Sequence, residues 1–115
     1  MKQFAEEQRK NRRYPSIALV KIPQVFSGDA FLKDISITGC RIECTMHVDI
    51  ETNSQHTIKI YPEENTGIDE FSLMAECKWI HPGGYSCDIG FVIKKSPGKK
   101  DFERYVDYLS WRRNA

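Results

Sequence analysis

At 115 residues the chain has room for one domain with one core. Charged residues make up 29% and hydrophobic residues 40%, and the two signs of charge are mixed, which excludes wholesale disorder. A formal net charge of +1 offers no overall case for nucleic acid or membrane, and no apolar run approaches the roughly 18 residues of a membrane span.

The first 13 residues read as a flexible polar arm. Lys2, Arg9, Lys10, Arg12 and Arg13 face only Glu6 and Glu7 there. The arm lacks the apolar centre of a secretory signal, so a cytoplasmic chain is expected. Tyr14-Pro15 ends it, because proline disfavours helix at the residue before it. Residues 14–115 read as the folded domain.

From Ser16 to about Lys95 the pattern is one of strands. In the first, Ile17 and Leu19 alternate with Ala18, Val20 and Ile22, which suggests burial on both sides. Ser27-Gly28-Asp29 signals a turn and Ala30 to Ile35 a second strand. Beyond a corner at Thr38-Gly39, Cys40, Ile42 and Cys44 alternate with Arg41, Glu43 and Thr45, the period of a half-buried strand. Thr57 to Tyr61 places Ile58 and Ile60 on one face. Phe71, Leu73, Ala75, Cys77 and Trp79 share a face of a long strand. A hairpin turn follows at Pro82-Gly83-Gly84, and Tyr85, Cys87, Ile89, Phe91 and Ile93 line the last strand. About six short strands with close turns make a small antiparallel barrel.

The rest reads as a helix over about 97–113. Ser96 suits the N-cap, Pro97 the first helical position, and Asp101 and Glu103 lie in or near the first turns. Phe102, Tyr105, Val106 and Leu109 form one apolar stripe, and Arg112 and Arg113 suit the negative end of the helix dipole. Such a helix plugs one opening of the barrel.

Two clusters carry chemistry: Arg9-Lys10-Asn11-Arg12-Arg13 and Asp34-Ile35-Ser36-Ile37-Thr38-Gly39. Arginine's planar fork matches phosphate oxygens and the O6/N7 edge of guanine. A carboxylate such as Asp34 accepts from the N1 and N2 donors of guanine. Asp34 and Ser36, two apart, would share a strand face, and Gly39 would carry the chain through positive φ. The same residues also suit a solvated arm and ordinary turn chemistry.

Arg9-x-x-x-Arg13 followed by Asp34-x-Ser36-x-x-Gly39 resembles the paired signature of PilZ domains, R-x-x-x-R and [D/N]-x-S-x-x-G, with Tyr14-Pro15 leading into the first strand. The resemblance implies an all-β fold, a six-stranded antiparallel barrel with a C-terminal α-helix. It implies a receptor for cyclic di-GMP, bound singly or as an intercalated pair. By position, Arg9 and Arg13 would contact guanine and phosphate, Asp34 and Ser36 a guanine edge or the nearby backbone, and Gly39 would shape the turn. Lys10 and Arg12 would add phosphate charge. Lys10 stands where the family often has arginine, and lysine loses the bidentate fork. The resemblance also implies a protein effector as partner, in motility, adhesion or envelope control.

No catalytic set is assembled, so no enzyme activity is expected. Cys40 and Cys44, and Cys77 and Cys87, lack C-x-x-C spacing and read as free thiols. His47, His56 and His81 are scattered, with no metal-ligand spacing. Trp79 and Trp111 read as core or rim packing. Two alternatives remain: a PilZ-like adaptor without a ligand, and a barrel binding single-stranded nucleic acid. The second wants exposed aromatic platforms that the strand pattern does not provide.

Overall fold

The computed structural model describes residues 12–46 and 48–114; Arg9, Lys10 and His47 lie outside the described residues. The elements are β1 (Tyr14–Pro15), β2 (Leu19–Ile22), β3 (Phe26–Ile35), β4 (Gly39–Cys44), β5 (Gln55–Tyr61), β6 (Phe71–Pro82), β7 (Cys87–Ile93) and α1 (Lys99–Asn114). The strands form one antiparallel sheet in the order β1-β3-β2-β5-β6-β7-β4. A further pairing of β3 with β4 closes six of them into a barrel. The two-residue β1 is an extra strand laid on the end of β3. The expected six-stranded barrel with a C-terminal helix is therefore present. Among the described residues no helix is long and apolar enough to cross a membrane.

Period-two alternation builds the core. Cys40, Ile42 and Cys44 of β4, Ile58 and Ile60 of β5, Phe71, Leu73, Ala75 and Cys77 of β6, and Cys87, Ile89, Phe91 and Ile93 of β7 all point inward. All four cysteines are buried free thiols, and burial pushes Cys40 and Cys44 up to about 12, so neither offers a thiolate at neutral pH.

Three local expectations are corrected. The strand after β1 is buried on one face only: Ala18, Val20 and Ile22 point inward, whereas Ile17 is 73% and Leu19 47% exposed. The turn lies at Pro23–Val25, where Val25 N–H donates to Ile22 O at 3.0 Å, and Ser27-Gly28-Asp29 is part of β3. Pro23 has no N–H for the ladder, so the chain turns there. Tyr85 is not on the inner face; it sits in the hairpin turn, fully exposed, and β7 begins two residues later.

Helix α1 starts at Lys99, two residues later than the Pro97 start. The Ser96 hydroxyl does not cap it. That hydroxyl accepts from Met74 N–H at 2.8 Å and donates to Lys94 O at 2.6 Å, tying the entry segment to β6. The apolar stripe of Phe102, Tyr105, Val106 and Leu109 is buried, and the helix packs against β1 and β6.

Tyr105 also anchors the start of the barrel. Its phenol donates to Glu63 Oε1 at 2.5 Å and lies 2.7 Å from Ser16 Oγ. The single phenolic proton goes to Glu63, so the Ser16 hydroxyl donates to the phenol oxygen while accepting from Ala18 N–H at 3.1 Å. Burial, reinforced by Glu63, raises the Tyr105 pKa well above the ordinary phenol value and keeps the donor protonated. Tyr105→Phe is expected to cost about 1–3 kcal/mol by leaving the buried Ser16 hydroxyl without an acceptor for its proton. Urea unfolding measures it, and an unchanged midpoint would remove this network from the account.

Candidate functional site

Two one-residue bulges determine what the barrel shows on its outside. On β3, Leu32 pairs with Ile42, but Asp34 pairs with the next residue of β4, Arg41, so Lys33 is extra. Strict alternation from inward Leu32 would turn Asp34 inward. The bulge instead sends Ile35 into the core and leaves Asp34 on the outer face, its side chain 18% exposed. On β6, Cys77 pairs with Phe91 but Trp79 with Gly90, so Lys78 is extra. Cys77 stays in the core and Trp79 turns outward. The expectation that Trp79 shares the inner face of β6 is thereby corrected.

The pairings then align one row across five strands: Pro15 on β1, Asp34 on β3, Arg41 on β4, Gly90 on β7 and Trp79 on β6. Gly90 gives this row its shape. A Cβ there would lie 2.1 Å from the Trp79 ring, so the ring lies directly over the glycine backbone. His81, next on the outer face, stacks on Trp79 with ring centroids 4.6 Å apart.

Asp34, Arg41, Gly90 and Trp79 of this row floor a cleft of about 520 Å³, a volume in the range of small-ligand sites. Its lining includes Arg13, Asp34, Thr38, Gly39, Arg41, Lys78, Trp79 and His81. Arg13 leans in from the base of the arm, and its Nε donates to Asp34 Oδ1 at 2.5 Å. Arg41 Nε lies 3.0 Å from Asp34 Oδ2. One carboxylate thus stands between two guanidinium groups, with an indole face three strands away along the row.

The Asp34–Gly39 motif divides its labour. Ser36 lies one residue past the end of β3 and is buried, so it does not share a face with Asp34. Its hydroxyl accepts from Gly39 N–H at 3.2 Å and lies 3.3 Å from Thr38 Oγ1, inside the turn. Ser36 N–H donates to Gly39 O at 2.8 Å and closes the hairpin. Gly39 is not required for positive φ, since among the described glycines only Gly67 has it. It is required for close approach: a Cβ would lie 2.4 Å from the Phe91 carbonyl oxygen.

Of the sequence candidates, Arg13, Asp34 and Gly39 meet at the cleft, and Ser36 lies in the turn beside it. Arg12 sits 5.7 Å over the Tyr14 ring and does not line the cleft. Arg9 and Lys10 lie outside the described residues. Sequence reasoning missed Arg41, Lys78, Trp79 and His81 as lining residues. Among the described residues no group of three His, Cys, Asp or Glu side chains could hold a metal ion.

A family model described as PilZ domain matches residues 7–110. No curated protein matches the sequence significantly. Solved structures do match, among them the Bacillus subtilis inhibitor of motility (MotI/DgrA), at a TM-score of 0.67 and 14% identity. That match covers 89% of this chain and 49% of the other, so this chain spans about half the length of that protein. At this identity the likeness concerns the fold. The family match, which takes in both sequence motifs and nearly the whole barrel and helix, shows that the chain belongs to the PilZ domain family.

Proposed function

We propose that this domain is a receptor for cyclic di-GMP, which it binds in the cleft over Asp34 without performing chemistry on it. The observation that carries the reading is the 2.5 Å contact between Arg13 and Asp34, which joins two motifs 21 residues apart in sequence. A ligand with two phosphates and two purines needs cations, a guanine-reading acceptor and a flat surface. The cleft supplies Arg13 and Arg41, Asp34, and Trp79 respectively.

In this reading Arg9 and Arg13 bind guanine edges and phosphate, and Asp34 accepts from guanine N1–H and N2–H. Ser36 and Gly39 hold the turn under the ligand, and Lys10 and Arg12 add charge toward the phosphates. Closing the arm costs ordering entropy, which charge-assisted bonds and guanidinium stacking exceed. The output is a changed surface offered to a protein effector in the cytoplasm. Motility is the process favoured for that effector, because the similar solved structure is titled an inhibitor of motility.

Trp79 reports on the site directly. Cyclic di-GMP is expected to quench or shift its fluorescence, with GTP having no such effect. In Trp79→Phe only Trp111 remains, 67% exposed on α1, and the signal should vanish. Trp79→Ala is expected to weaken binding about tenfold, since base–aromatic stacking is worth about 1–3 kcal/mol. Tight binding with no change in Trp79 emission would place the ligand elsewhere.

A further inference from the structure

Arg41 belongs to neither sequence motif, yet it occupies the middle of the outer row, across from Asp34 on one side and Gly90 on the other. Its Nη1 lies 3.9 Å from Asp88 Oδ2, and its Nε lies 3.0 Å from Asp34 Oδ2. The Nε contact is close but misaligned: this atom is a buried donor without a hydrogen-bond partner, the one such side-chain atom found among the described residues. A buried donor left unpaired is unfavourable until something supplies an acceptor. The side chain as a whole is 39% exposed and lines the cleft, so an acceptor from outside meets its terminal nitrogens, and a turn of the guanidinium brings Nε to that acceptor.

Asp34 and Arg41 therefore present a double acceptor beside a donor fork. Guanine carries the complementary order along its rim: the N1–H and N2–H donors, then the O6 and N7 acceptors. Adenine carries an N6 donor where guanine has O6, and would set donor against donor at Arg41. We infer that Arg41 is a guanine-selecting residue, donating to O6 and N7 while Asp34 accepts from N1 and N2. The inference rests on the cyclic di-GMP reading of the cleft and deepens it. The misaligned Arg41–Asp34 contact is the feature that lets the fork turn to the base without giving up a well-made bond.

The test is calorimetric titration of the wild type, Arg41→Gln and Arg41→Lys with cyclic di-GMP and with cyclic di-IMP. Hypoxanthine, the base of the latter, keeps O6 and N7 but lacks the N2 amino group. Arg41→Gln is expected to weaken both ligands at least tenfold and by the same factor. Arg41→Lys, which keeps the charge but not the fork, is expected to lose several-fold on both, and it carries the test if the glutamine variant does not fold. Wild-type affinity in these variants overturns the inference while leaving the receptor reading intact. A loss confined to cyclic di-GMP overturns it too, because Arg41 would then act only by holding Asp34 toward N2. A wild type that binds neither ligand defeats the receptor reading and this inference together.

Discussion

Arg13→Ala is expected to weaken cyclic di-GMP binding by about two orders of magnitude while barely disturbing the fold. The two effects separate because the same ion pair acts against different references. In the free domain the Arg13 and Asp34 side chains are 47% and 18% exposed, so their pairing is partly screened by water. Such pairs contribute about 0.2–1 kcal/mol, and the melting temperature should fall by no more than about 5 °C. In the complex Arg13 would lose a bidentate contact worth about 1–3 kcal/mol and the anchor that brings the rest of the arm over the ligand. Titration of the variant beside the wild type checks the first part and thermal unfolding the second. Undiminished binding would show that the arm does not hold the ligand.

Gly39→Ala is expected to act in the opposite order, on the fold first. The added Cβ would meet the Phe91 carbonyl oxygen at 2.4 Å. That atom is backbone in β7, one of the strands that close the barrel, and it has no rotamer by which to move aside. Overpacking of this kind costs about 1–3 kcal/mol. The shift would also disturb Gly39 N–H, which donates to Ser36 Oγ, and so loosen the turn under the cleft. Chemical denaturation should show the loss, and ligand affinity should fall with it. Gly84→Ala is the matched control: nothing lies within 4 Å of a Cβ there, and its stability should not change. Equal stability in both variants would contradict the close-approach role of Gly39.

The barrel was legible because most of its strands obey a period of two. The inner residues of β4, β5 and β7 read directly from alternation, and the helix from its stripe of Phe102, Tyr105, Val106 and Leu109. What alternation hid were the two bulges. A one-residue insertion moves every later side chain to the other face, and a pattern that assumes a constant period cannot show it. The signal was nonetheless present. Leu32 and Ile35 are three apart, not two, and so are Cys77 and Ile80; each pair brackets an extra residue, Lys33 or Lys78. The three-residue spacing of Cys77 and Ile80 puts Trp79 on the outer face.

The motif residues were legible as a set, but not their separate tasks. Asp34 and Ser36 were expected side by side, whereas Ser36 is consumed by the turn and its place beside Asp34 is taken by Arg41. Arg41 carries no motif and becomes a cleft residue only through the pairing of β3 with β4. Long-range register of that kind is decided by closure of the barrel, not by neighbours in the chain. Exposure of Ile17 and Leu19 was missed for a related reason. An apolar residue on the outer face of a barrel strand looks the same in sequence as one inside.

The central claim is that the domain binds cyclic di-GMP. The most direct measurement is a calorimetric titration of the purified domain with that ligand, with GTP and cyclic di-AMP as controls. Saturable heat is expected with cyclic di-GMP alone, and the stoichiometry will separate a single ligand from an intercalated pair. No heat from cyclic di-GMP, or equal heat from all three nucleotides, would contradict it and turn attention to a PilZ barrel that works through protein contacts alone.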